Sequence, residues 1–354
     1  MAKHFRAVIR MTALALALFA AGLARAQPQD RAATIAGAKQ EGMVSYWDTI
    51  IQPETHDALA AGFRAAYGLP ASFQVKYTLS ATLALITKIE QETASGNVTV
   101  DVASIASPPW VNGLVAAGHV MRHDSPEYAA YTAVFAAKLG QPGYYAFNGG
   151  YVFVPMWNAD TLTFKGTSWK DVLGAVPAGR ISTNDGGNSA TGLLTYMGLR
   201  DALGVDYFKS LARMKPAFVV RSEGTAERLV TGQDLMAFGG MPTRAAQNNE
   251  KGANLDILFP SEGVVLMGQS SFILTKAPHP NAAKLWLDFT LSEAGQTILA
   301  KREALISGRA GFKSPLPKYA PAMDTLKLIP VAWDKIGTED IRKAKAEWQG
   351  IFAP

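Results

Sequence analysis

Between Met43 and Ala106 the chain switches hydrophobic period again and again. The short apolar run MVSYW (43–47) gives way to PETHDALAAGFRAAYG (53–68), a helical stretch with Pro53 in its first turn and Gly68 past its end. SFQVKYT (72–78) places Phe73, Val75 and Tyr77 at the period of a strand. SATLALITKIEQETASG (80–96) follows as a helix, with Ser80 expected at its N-cap and Gly96 as its stop. VTVDVASIA (98–106) reads as a third strand. This β-α-β-α-β order predicts a parallel sheet covered by helices, because each crossover between parallel strands must lie on a sheet face. No other feature limits the fold so strongly. It also fixes where a ligand is expected, beyond the carboxyl ends of the strands.

The pattern then repeats. YYAFNGGYVFVPMWN (144–158) reads as extended chain. A helix is predicted near SWKDVLG, a strand at GRIST, a helix at ATGLLTYMGLRDALG, a strand at AFVVRS, a helix at TAERLVTG and a strand at DLMAFGG. The extended stretch EGVVLMGQSSFILTK and two helices, NAAKLWLDFTLS and EAGQTILAKRE, come after. Two α/β lobes joined by more than one extended crossing account for this order.

The first 26 residues predict export. Lys3, Arg6 and Arg10 precede the run MTALALALFAAGL, and Ala24 and Ala26 stand at the small-residue positions of a cleavage site before Gln27. The run falls short of the ~20 residues of a bilayer span, which counts against the alternative of a membrane anchor. Removing the four basic residues of this leader from 34 leaves 30 against 29 acidic residues, so charge gives no case for a nucleic-acid partner. With no cysteine, the chain has no disulfide framework, thiolate metal site or cysteine nucleophile. The expected location is the periplasm, and the expected state is a monomer without cofactor or metal.

Candidate ligand contacts lie at the strand-to-helix junctions. Helix starts there present free N–H groups and a positive dipole end. In TNDGGNSATG (183–192), Gly187 and Gly192 have the spacing of a phosphate-cradling loop. Leu193 and Leu194 replace its lysine and hydroxyl, which removes nucleotide hydrolysis and leaves Ser189, Ala190 and Thr191 as contacts. The equivalent junctions supply Trp47, Asp48 and Thr49, then Ser80, Ala81 and Thr82, then Gly224 and Thr225. Ser107, Trp110, Tyr145 and Met241 complete the set around the rim. Arg221 and Arg244 are the cations expected to face an anion, since the guanidinium fork binds carboxylate or phosphonate in two places.

From about Thr34 to Ile306 the chain resembles the periplasmic solute-binding proteins of ABC importers, in the branch of ferric-iron, phosphonate and sugar-phosphate binders. AKQEGMVSYW, SGNVTVDVASIASPPWVNGLVAAGHV and ILTKAPHPNAAKLWLDFTLSEAGQTILAK carry the likeness. The resemblance implies a type II two-lobed fold, with hinge strands near Tyr151 to Pro155 and Val264 to Gln269. The implied division is a first lobe of residues 27–150 and 265–310, a second lobe of 151–264, and a C-terminal helical segment, 311–354, packing across the second. It also implies a permease and an ATPase as partners. The expected function is capture of a small anionic organic solute, a carboxylate, phosphonate or phosphate ester.

Two alternatives stay open. Ferric-iron binders of this branch place adjacent tyrosines after the last strand of the second lobe. That place here reads FGGMPT, and the chain's pair, Tyr144 and Tyr145, stands before the first hinge. A periplasmic hydrolase would need a G-x-S-x-G elbow or an H-E-x-x-H zinc motif, and the sequence contains neither. His119 and His123 are expected as surface residues.

Overall fold

The computed structural model describes residues 28–352; the expected leader and its cleavage site lie outside them. Ten strands among the described residues form two five-stranded sheets. The first takes β1 (Met43–Asp48), β2 (Gln74–Leu79), β3 (Val102–Ile105), β4 (Tyr145–Tyr151) and, far along the chain, β10 (Met267–Ile273). The second takes β5 (Val154–Asn158), β6 (Ile181–Asn184), β7 (Ala217–Val219), β8 (Met236–Gly240) and β9 (Leu255–Ile257). Their spatial orders are β2-β1-β3-β10-β4 and β7-β6-β8-β5-β9.

Both sheets follow one plan. β1 is parallel to β2 and β3, and β6 is parallel to β7 and β8. The fourth place in each is held by a strand that the chain delivers on passing from the other sheet. β5 arrives straight after β4 through buried Val152 and Phe153, and β10 arrives after β9 through buried Val264, Val265 and Leu266. Each incoming strand is antiparallel to both its neighbours. The parallel pairing expected from the first five elements is found in β1, β2 and β3, and the sheet becomes mixed because the strand arriving from the far lobe enters against their direction.

The helices follow local signals where these are strong. In α1 (Pro28–Glu41) the chain approaches β1. In α2 (Pro53–Tyr67), Pro53 starts the helix, and Gly68 ends it at φ 58°, its N–H directed to the Arg64 and Ala65 carbonyls. Leu59, Phe63 and Tyr67 recur every fourth residue on the buried face. α3 (Thr82–Ser95) stops at Gly96, φ 72°, as predicted. Its N-cap, however, is Ala81 and not Ser80; the Ser80 N–H is spent on the Asp48 carbonyl, which fixes the turn one residue later.

Other expectations are revised. ASPPW is not a free rim loop: Pro108 opens α4 (Pro108–Ala116), which is followed by the short α5 (Thr132–Ala136). SWKDVLG is a single 3-10 turn, Lys170–Val172, with Trp169 buried and its indole N–H on the Gly263 carbonyl at 2.9 Å. The second lobe carries α6 (Ala190–Leu203), α7 (Val205–Arg213), α8 (Ser222–Val230) and α9 (Pro242–Asn249). α7, α9 and β9 were not expected from the sequence. α10 (Pro280–Leu291) and α11 (Glu293–Glu303) return to the first lobe.

Trp286 of α10, fully buried, centres the first lobe, with ring centroids of Tyr46, Phe63 and His56 at 5.3, 5.1 and 6.2 Å. The last helix, α12 (Thr338–Phe352), packs on α6 and α7, and Arg200 of α6 meets Glu347 at 2.7 Å. Its Trp348 lies on the glycine loop, where a Cβ on Gly186 would come within 2.6 Å of the indole nitrogen. Asp185 accepts from the Gly187 N–H at 2.8 Å and the Asn188 N–H at 3.2 Å. The Gly186–Gly187 pair is thus explained by a helix resting on the backbone; those two glycines do not open it to a ligand.

Candidate functional site

A cavity of about 680 Å3, counting its open mouth, lies between the two sheets. The first lobe contributes Thr49 and Ile50 after β1, and Ala81, Thr82 and Leu83 at the start of α3. Tyr151 and Phe153 line it from the crossing between β4 and β5. The second lobe contributes Asn184 and Asn188, then Ser189, Ala190 and Thr191 at the start of α6. Val220 to Glu223 at the start of α8, and Met241 and Arg244 at α9, close it. Four helices therefore begin at this one space.

Their starts are not treated alike. Ser189 caps α6, accepting from the Gly192 N–H at 3.2 Å. Ala81, Arg221 and Met241, the N-cap residues of α3, α8 and α9, supply no capping side-chain hydrogen bond. Away from the cavity both kinds occur: the Glu41 carboxylate takes the Asn281 and Ala282 N–H groups of α10 at 3.1 and 2.7 Å and Ser292 caps α11, while α2, α4 and α7 also begin without a side-chain cap. Helix starts with spare N–H groups are ready anion acceptors.

Three charged side chains line the cavity: Arg221, Glu223 and Arg244. The Arg244 side chain is 4% exposed, and its three nitrogens are all engaged. Nε donates to Ser222 Oγ at 3.1 Å, Nη1 to Gln247 Oε1 at 2.7 Å, and Nη2 lies 3.0 Å from Glu223 Oε1. Arg221 Nη2 reaches the same carboxylate oxygen at 3.3 Å. Burial alone would raise the pKa of Glu223, but Arg244 and Arg221 together hold it below the usual glutamate value. The site is a preformed guanidinium pair with one carboxylate in attendance.

Behind Arg244 the lobes are tied together. Gln247 Nε2 donates to Glu303 Oε2 at 3.0 Å, and Glu303 Oε1 accepts from the Gln52 N–H at 2.8 Å. Burial raises the pKa of Glu303 above its ordinary 4.5. Its folded form thus takes a proton before its unfolded form does. The stability so contributed is full below the ordinary value and is lost as pH rises through the folded pKa. Against the Glu303→Gln variant, the wild-type melting temperature should therefore gain as pH is lowered from 8 toward 4.5. A difference that stays flat across that range would contradict the assignment.

The structure brings together Thr49, Ala81, Thr82, Ser189, Ala190, Thr191, Arg221, Met241 and Arg244 of the sequence-derived candidates. It places the rest elsewhere. Trp47 is 5% exposed in the core beneath α3, with the Lys88 ammonium 3.8 Å from its ring centroid. Asp48 is buried and turns the chain, accepting from the Ile50 and Ile51 N–H groups at 2.7 and 2.8 Å; burial raises its pKa. Ser80 stops short of the cavity. Ser107 is buried at the start of α4, and Trp110 donates to Glu90 on the outside at 2.8 Å. Tyr145 donates to Asn112 at 2.7 Å. Gly224 backs on Val219, and Thr225 is buried with its hydroxyl on the Ser222 carbonyl.

Trp47, Trp110 and Tyr145, expected as ligand contacts, therefore do not line the cavity. The rings that do line the cavity, Tyr151 and Phe153, sit at the crossing and meet edge-on at 5.7 Å. Ile50, Leu83, Val220 and Glu223 had no sequence signal beyond standing next to the polar junction residues.

The fold and cavity are those of a ligand-binding protein with two lobes. The sequence model of the bacterial extracellular solute-binding proteins matches residues 54–302, and the chain belongs to that family. No curated protein matches the sequence. Among solved structures, the substrate-binding protein of an ABC transporter from Agrobacterium tumefaciens superposes with TM-score 0.75 at 18% identity, covering 88% of this chain and 94% of its own. The periplasmic binding protein AfuA from Actinobacillus pleuropneumoniae, with fructose-6-phosphate bound, gives 0.73 at 20%, covering 88% and 98%. Iron-bound HitA from Pseudomonas aeruginosa gives 0.70 at 17%, covering 87% and 99%. At these identities the likeness establishes the shared fold.

Proposed function

We propose that this protein is the periplasmic substrate-binding component of an ABC importer and that it captures a small anionic organic solute between its lobes. The carrying observation is that three helix starts without side-chain caps, drawn from both lobes, open on one cavity beside a buried guanidinium. The lobes close by bending at Tyr151 to Pro155 and Val264 to Gln269, and the closed form presents the solute to a membrane permease driven by its ATPase. The first lobe comprises residues 27–150 and 265–310, and the second 151–264. The protein acts as a monomer and returns the solute unchanged. Export by the N-terminal leader puts it in the periplasm. AfuA, the neighbour with a sugar phosphate bound, supports an anionic organic ligand.

HitA supports the rival reading of ferric iron. Iron of that kind needs phenolate ligands, and Tyr151 is the one tyrosine lining the cavity, with its pKa pushed up by burial. The deciding experiment is mass spectrometry of small molecules released by denaturing protein purified from its periplasm. Recovery of one organic anion per chain is expected. Iron accompanied by a phenolate absorption band would overturn the proposal, and conversion of the recovered molecule on incubation would make the protein an enzyme.

A further inference from the structure

Four large apolar side chains stand exposed among the described residues: Leu83 at 50%, Phe218 at 39%, Val220 at 53% and Val230 at 45%. Phe218 is accounted for, since it lies against Trp348 and Phe352 of α12 with centroids at 5.1 and 5.7 Å. The two most exposed, Leu83 and Val220, both line the central cavity, one from each lobe. Leu83 is in the first turn of α3, and Val220 stands between β7 and α8. Helices α3 and α6, one from each lobe, come into contact. Ile50, Ala81 and Met241 extend the apolar surface inward. Exposed apolar side chains grouped at a cleft mark a surface that something apolar covers.

The charges set a second constraint. Arg221 and Arg244 carry two positive charges, and Glu223, in contact with both at 3.3 and 3.0 Å, offsets one of them. One positive charge is left over. A phosphate ester or phosphonate dianion would bring two negative charges next to a carboxylate already in place. A carboxylate brings one. Arg244 is 4% exposed while Arg221 and Glu223 are 52% and 42% exposed, so water screens the mismatch in part and Glu223 disfavours a dianion by degree.

We infer that the cleft selects monoanions with an apolar body: the carboxylate of the solute faces Arg221 and Arg244, its apolar part lies between Leu83 and Val220, and Glu223 disfavours dianions. The inference rests on the anionic-solute reading above and narrows it. Glu223 acts through charge, lowering the demand of the guanidinium pair. Leu83 and Val220 act through the area they cover when the solute is present.

The test uses full-length mature protein, stripped of solute by unfolding and refolding, in titration calorimetry at pH 7.5. Four probes separate charge from body: phenylacetate, gluconate, phenyl phosphate and glucose 6-phosphate. Phenylacetate should bind at least about tenfold tighter than the other three. In Glu223→Gln the preference for phenylacetate over phenyl phosphate should fall by about tenfold. In Leu83→Ser and Val220→Ser, both at exposed positions where folding tolerates polarity, the preference for phenylacetate over gluconate should fall while that over phenyl phosphate holds. If either phosphate binds wild type as tightly as phenylacetate, or if no probe binds at millimolar concentration, the inference is overturned. The broader reading is judged separately, by the molecule recovered from the periplasm. A dianion or a polar-bodied acid recovered there sinks the inference alone, and a neutral solute or iron sinks both.

Discussion

Arg244→Ala should weaken solute capture by at least about 30-fold and lower the stability of the second lobe by about 2 kcal/mol. Its guanidinium holds three partners at once, Ser222 Oγ, Gln247 Oε1 and Glu223 Oε1, while being 4% exposed. Removing one member of a fully buried ion pair costs about 3–5 kcal/mol because the remaining charge is stranded. Here the Glu223 side chain is 42% exposed and Arg221 remains beside it, so the stability loss is the smaller figure. Binding suffers more. A desolvated cation lost from a charge-paired contact costs about 2–5 kcal/mol, roughly 30-fold to several thousand-fold in affinity. Arg244→Lys keeps the charge but replaces the planar fork by a point ammonium. It should restore most of the stability and little of the affinity. Urea unfolding and calorimetry with the recovered solute check both halves. An alanine variant that binds within a few-fold of wild type would contradict the role given to this residue.

Trp286→Ala should cost the first lobe about 4 kcal/mol, the range for emptying a buried indole site. The ring is fully buried in α10 and touches residues from two other elements, Tyr46 of β1 at 5.3 Å and His56 and Phe63 of α2 at 6.2 and 5.1 Å, as well as Phe289 of its own helix at 6.4 Å. Those contacts clamp the returning helix onto the first strand. The return segment is what makes β10 part of this sheet, so the hole lies where the two distant parts of the lobe meet. Tyr46 is kept from filling it, because Asp48, Ser104 and Asn148 hold its hydroxyl. Chemical denaturation should show the transition moved to lower urea, and a loss below about 1 kcal/mol would mean that the site collapses freely.

The strands and helices with strong local punctuation were legible in the sequence. Pro53 and Gly68 bound α2 in both readings, and Ser189 caps α6 as its place in the loop predicts. What could not be read was set by distant parts of the chain. The antiparallel entry of β10 depends on where the return segment docks. Gly187, which with Gly192 has the spacing of a ligand loop, instead lies with Gly186 under Trp348, more than 150 residues away.

The site was half legible for a related reason. Strand-to-helix junctions predict which loops reach the cavity, and Thr49, Thr82 and Ser189 are there. They do not predict which way each side chain turns. Trp47 turns into the core two residues before the chain reaches the cavity at Thr49, and Thr225 points back to its own helix. Polar and aromatic residues drew the eye, while Leu83 and Val220, apolar and exposed, carried the more specific information.

The central claim is that helix starts from both lobes hold one solute. Hydrogen exchange, compared between stripped protein and protein saturated with the recovered solute, measures this directly. The account predicts slowed exchange together at the amides of Thr82 and Leu83, of Ser222 and Glu223, and of Thr243 and Arg244. Protection confined to one lobe, or falling on segments away from these three helix starts, would contradict it.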